Sequence, residues 1–220
     1  MKKKIALLMA CVMAFGVAVG GTLAWLTDDT APVVNTFTDS DINITLTETD
    51  TDPDTDGEQH DYQMIPGHTI TKDPKVTVVD GSEDCWLFVK VTESTSPDLD
   101  AYISYAIADG WTTYKLENES ITEVTNVADL DTIILGRKVY KNDTTKEFGV
   151  IGYTNTNNEF VVDKVLVNDS VDKTMMESIK TTQPTLTFAA AAVQLYKSNG
   201  VEFPVAEAYA KAEWPAPANP

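Results

Sequence analysis

Short stretches in which apolar and polar residues alternate, parted by polar turns, recur along most of this chain. A period of two places successive side chains on opposite faces, which strands with one buried face satisfy and helices do not. Thr and Val are abundant, and both suit a pleated, half-buried surface. Candidate strands cover residues 33–37, 42–47, 69–79, 86–92, 102–107, 111–116 and 138–141, then 147–153, 161–167 and 185–196. Ile42, Ile44 and Leu46 alternate with Asn43, Thr45 and Thr47, predicting one buried and one wet face. Leu87, Val89 and Val91 likewise oppose Phe88, Lys90 and Thr92. Helix is scarce. Residues 171–180 would set Met175, Met176 and Ile179 on one side, and residues 205–213 would align Val205, Ala208, Tyr209 and Ala212 behind Pro204. Many short strands with one or two short helices predict an all-β sandwich.

The N-terminus bears on compartment. Met1-Lys2-Lys3-Lys4 is a compact positive segment, and residues 5–19 carry no charge. Gly20-Gly21-Thr22-Leu23-Ala24 follows, with Thr22 and Ala24 at the −3 and −1 positions of a cleavage site. That order reads as a secretory signal peptide, cut after Ala24 to leave Trp25 as the first mature residue. Two other readings compete. Residues 5–26 could cross a bilayer as an uncleaved anchor, and Leu8-Met9-Ala10-Cys11 loosely resembles a lipobox. The Ala- and Gly-rich composition and the A-x-A-like site favour cleavage. The apolar run continuing past Cys11 through Val19 disfavours lipidation. Cleavage of residues 1–24 leaves 196 of 220, enough for one domain over 25–214. Within it, residues 48–61 form an acidic loop, and 215–220 are a Pro/Ala-rich tail unsuited to helix or ladder.

The chain holds 34 acidic and 16 basic residues, a net charge of −18, which loss of three signal lysines makes −21. So acidic a surface repels nucleic acid and anionic lipid and favours solubility and divalent cations. Nucleic acid is thereby set aside as a partner, and membrane contact is confined to the signal peptide. Cys11 leaves with the signal, so Cys85 has no intramolecular disulfide partner. Beside Trp86-Leu87-Phe88 it reads as a small buried hydrophobe. A nucleophile or an intermolecular bridge is the sharper alternative.

Asp52-Pro53-Asp54-Thr55-Asp56-Gly57 has the D-x-D-x-D-G spacing of a calcium loop. Asp52, Asp54 and Asp56 could wrap oxygens around one hard cation, with Gly57 permitting the sharp turn. The twelfth position is Gln63 rather than a bidentate glutamate, and a solvated acidic linker is the competing reading. His60 and His68 are the only histidines, too few for a catalytic zinc with about three protein ligands. No H-E-x-x-H, G-x-S-x-G, phosphate-cradling loop or dinucleotide fingerprint occurs, so no catalytic residue is assigned. The apolar residues Trp25, Leu26, Val33, Val34 and Phe37 precede the strand at 42–47. Freed by cleavage, they could add an edge to another subunit's sheet or form an ordinary first strand.

Gly20-Gly21-Thr22-Leu23-Ala24-Trp25-Leu26-Thr27-Asp28, then Asn35-Thr36-Phe37-Thr38 and Ile42-Asn43-Ile44, resembles the start of TasA/camelysin-type proteins of Gram-positive bacteria. Asp41 stands where glycine is usual there. Ile65-Pro66-Gly67-His68-Thr69-Ile70-Thr71-Lys72-Asp73 is similar to the family's P-G-x-x-[apolar]-x-K-[DN] element, and Cys85-Trp86-Leu87-Phe88 to the strand after it. Leu186-Thr187-Phe188 through Gln194 is similar to the close of clostridial relatives, while residues 94–182 match only in strand pattern. The resemblance implies a jelly-roll sandwich, export through the signal peptidase SipW, and a place in the biofilm matrix or on the cell surface. It also implies self-association into fibres, with the segment from Trp25 to Phe37 completing the neighbour's sheet. A camelysin-like metallopeptidase and a monomeric calcium-binding adhesin are the alternatives.

Overall fold

A computed structural model describes residues 41–49, 63–128 and 130–215. The chain divides into two compact units, Met1–Asp39 and Ser40–Pro220, and every described residue belongs to the second. The strand expected at 33–37 lies outside the described residues.

One layer is a five-stranded antiparallel sheet in the order β14 (Leu186–Gln194), β4 (Cys85–Glu93), β9 (Thr132–Val139), β7 (Thr112–Glu117) and β8 (Ser120–Glu123). Facing it are three small antiparallel sheets. The first is β1 (Ile44–Thr47), β3 (Lys75–Val78) and β10 (Glu147–Gly149); the second is β2 (Thr69–Thr71), β13 (Lys164–Val167) and β5 (Ile103–Ser104). The third is β12 (Phe160–Val162), β11 (Ile151–Thr154) and β6 (Ala106–Ile107). The fold is all-β and sandwich-like, as the alternation predicted.

The short strands of this second layer are pieces of longer ones that break near one waist. Lys72 N–H donates to Asp163 O at 3.0 Å, Asp163 N–H to Ile151 O at 3.2 Å, and Val150 N–H to Pro74 O at 3.0 Å. Pro74 has no N–H to offer a ladder, and Asp163 sits at φ 59. At the waist the strands exchange partners: β3 pairs with β10, while β2, three residues earlier, pairs with β13. The continuous strand expected over 69–79 is therefore two strands, as is that over 147–153.

A single core joins both layers. From the large sheet come Cys85, Leu87, Val89, Val91, Ile133, Leu135 and Val139; from the other come Val76, Val78, Phe148, Ile151, Val165 and Val167. The opposite face of β4 is not wet. Trp86 and Phe88 lie with Tyr114, Ile134, Leu195, Phe203, Ala208 and Tyr209 in a second core, roofed by helix α2 (Val205–Ala210). The Trp86 indole donates to Phe203 O at 3.0 Å, tying that roof to β4. Helix α1 (Lys173–Ser178) starts at Asp172, whose side chain accepts from Met175 N–H. Ile179 is buried against the first core, with Met175 and Met176 half-buried beside it, as their spacing predicted.

Three expectations need correction. The strand expected at 138–141 is β9, running over Thr132–Val139. Ile133-Ile134-Leu135 is buried on both faces, so no alternation announces it. β8 was not expected; Asn118 and Glu119, at φ 48 and 64, make the two-residue turn that joins it to β7. Leu46 is 37 % exposed rather than on a buried face, because β1 is an edge strand.

Candidate functional site

The residues singled out above fall unevenly. Ala24, Trp25, Leu26, Val33, Val34 and Phe37 lie outside the described residues, as do Asp52, Asp54, Asp56 and His60. His68 is exposed in the turn before β2. Cys85 is fully buried in the core between the layers, and burial first, then the Asp84 charge, pushes its thiol up to about 11. A thiol so protonated is a packing group rather than a nucleophile. Among the described residues no group of His, Cys, Asp and Glu is placed to hold a metal.

The Pro66-Gly67 element has a clear local role. Gly67 takes φ 75 in a turn closed by His68 N–H on Ile65 O at 3.0 Å, a backbone state that suits glycine after proline. A Cβ at Gly67 would also stand 2.5 Å from Asp169 Oδ1. The turn delivers Lys72 and Asp73 to the root of the acidic loop. Lys72 Nζ pairs with Glu48 at 2.9 Å. Thr49 donates to the Asp73 carboxylate from its N–H at 2.9 Å and from its hydroxyl at 2.6 Å. Burial alone would raise the Asp73 pKa, but these two bonds and the Lys75 charge outweigh it and hold the group below the usual range.

Beside this clamp, among the described residues, the sandwich has an open seam. β1 is the edge of its sheet and β14 the edge of the large sheet, and the two run close together. Neither outer edge is paired with a strand among the described residues. The core-facing side chains of β14, Phe188, Ala190 and Ala192, are only half-buried, as are Ile42 and Ile44 before and within β1. Lys72 Nζ lies 5.5 Å above the Phe188 ring, linking the clamp to the seam. Nothing in the sequence marks β14 as an edge, because edge status depends on which strands pair.

At one end of β14, Leu186 is paired with Glu93 of β4. The Tyr105 hydroxyl donates to Glu93 Oε1. Burial raises the Glu93 pKa; the Tyr105 bond opposes this, while Asp100 and Asp131 add to it. A glutamate raised in the folded state contributes stability that is complete below its ordinary value of 4.5 and is lost as pH rises through the folded value. Glu93→Gln, which keeps an acceptor for Tyr105, should therefore unfold at higher urea than the parent at about pH 7 and at the same urea at about pH 4. A midpoint at neutral pH equal to or below the parent's would contradict this.

The architecture defines an all-β, sandwich-like protein whose seam between β1 and β14 is not closed by a strand among the described residues. Comparison of the chain with family models, with curated proteins and with solved structures gave no match.

Proposed function

We propose that this chain is a secreted structural protein of the biofilm matrix or cell surface, a subunit that assembles into fibres by strand donation. Residues 25–37, freed by cleavage after Ala24, would enter the seam of a neighbouring copy and pair with the outer edge of β14. One observation carries the reading. Among the described residues β14 is a nine-residue edge strand, LTFAAAAVQ, with no charge, proline or glycine. Exposed edges are ordinarily blunted by such residues, because an unblunted one recruits another strand. Residues 25–37 outnumber those of β14, so at about 3.3 Å per residue they can line its whole length. Small Ala190 and Ala192 leave room for Trp25, Leu26 or Phe37, and large-against-small pairs fill a seam well. The resemblance to TasA/camelysin-type proteins and their SipW-dependent export supports the same reading.

The test compares protein expressed from Trp25 with protein expressed from Ser40, by sedimentation and electron microscopy. Fibres are expected from the first and monomers from the second, with a peptide of residues 25–37 blocking fibre growth. Indistinguishable assemblies from both, or assembly by neither, would sink the idea.

A further inference from the structure

Arg137 stands where an arginine is costly. On β9 it shares its face with Ile133, Leu135 and Val139, all buried between the two layers. Its Cζ lies 3.6 Å from the centroid of the Phe148 ring and 5.3 Å from that of Trp111. Both rings are held in place: Phe148 is buried, and the Trp111 indole donates to Gly149 O at 2.8 Å. A Cβ at Gly110 would stand 3.4 Å from Arg137 Nη1, so the guanidinium lies close to that turn. Arg137 Nε is buried with no hydrogen-bond partner. In a chain with 34 acids, this arginine has no ion pair among the described residues. Burial lowers its pKa and the Asp143 charge works against that. A stacked, oriented guanidinium loses little freedom on meeting a carboxylate, which it can grip through two parallel N–H bonds.

Arg137 also lines a cleft of about 710 Å³, together with Lys75, Asp109, Asp143, Glu147 and Phe160. That volume is in the range of small-ligand sites, about 300–1,000 Å³. Two of the charges are engaged. Lys75 Nζ lies 3.9 Å from Asp163, and Asp143 accepts from Tyr140 N–H at 2.8 Å. Asp109 and Glu147 have no side-chain hydrogen bond or ion pair to any described residue. Arg137 thus borders the same space as Asp109 and Glu147 without an ion pair to either. A plain anion entering it meets the acids, and a plain cation meets Arg137. A ligand carrying both signs satisfies both.

We propose that this cleft binds a small zwitterion, an amino acid or short peptide, with its carboxylate on the Arg137 guanidinium and its ammonium toward Asp109 or Glu147. This inference is independent of strand donation, since none of these residues lies in β1 or β14. The test is calorimetric titration of the full chain with alanine, triglycine, acetate and glycinamide. Alanine or triglycine is expected to bind saturably, and acetate and glycinamide about tenfold more weakly or worse. Alanine alone would assign a free amino acid, and triglycine alone a peptide. Arg137→Met, which keeps the stem's packing, should weaken binding by about tenfold to a hundredfold. Asp109→Asn, on an exposed turn away from the core, should weaken alanine or triglycine but not acetate. Absence of binding by both zwitterions, acetate as tight as alanine, or affinities unmoved by both substitutions would overturn the proposal.

Discussion

Replacing Phe88 with alanine should destabilise the protein by about 3–5 kcal/mol, the range for emptying a large aromatic site. Phe88 heads the fully buried side chains by volume, with no exposed surface. Its ring stacks on Trp86 at 5.8 Å and 10°, and meets Tyr209 edge-on at 5.7 Å and 87°. The cavity would therefore open under α2, whose Tyr209 packs directly on the Phe88 ring. The helix has only six residues and no side-chain hydrogen bond at its N-cap, too short to persist without packing. Urea unfolding should give the loss in stability. Hydrogen exchange should find residues 205–212 deprotected beyond the global change. A loss below about 1 kcal/mol would mean that this face of β4 is not a core.

A comparable loss should follow from Gly152→Val, about 3 kcal/mol or more, with a different cause. Gly152 lies in β11 between β12 and β6. A Cβ there would stand 2.4 Å from Val161 O and 2.5 Å from Phe160 Cζ. Phe160 could swing aside, but Val161 O belongs to the backbone of the connected strand pair and cannot move without loosening β12 from β11. Gly136→Ala offers the contrast. Its nearest atoms, Tyr114 Cε2 at 3.0 Å and Phe88 Cε1 at 3.3 Å, belong to side chains, so a smaller penalty is expected. Urea midpoints of the two variants should keep that order, and the reverse order would show that the backbone approach at Gly152 is not the limit.

Phe88 shows how far a local pattern reaches. Phe88 alternates with Leu87 and Val89, so a local pattern assigns it to a wet face. Its cover comes from Phe203, Ala208 and Tyr209, more than a hundred residues later. The strand expected at 138–141 catches only the end of β9, since Ile133 and Ile134 are buried on opposite faces and erase the alternation. The turn into β8 is Asn118-Glu119, not the Asn-Gly or Asp-Gly pair that usually signals a tight hairpin. Arg137 reads along the chain as one more surface charge. Only the stacking of Phe148 and Trp111 places it over the core, and only the cleft gives it something to bind.

What the sequence determined by itself is what short-range periodicity controls. The all-β character, the core stripe Leu87-Val89-Val91, and the apolar sides of both helices follow from residues a few positions apart. The buried state of Cys85 belongs with them, since its neighbours are strand-core residues. Tertiary structure alone decided which strands became edges among the described residues, where the second layer breaks at its waist, and that β14 lies beside β1 without pairing with it. It also set Arg137 among aromatic rings, without an ion pair among the described residues. Each of these depends on which distant segments meet, and a pattern of period two carries no record of its partners.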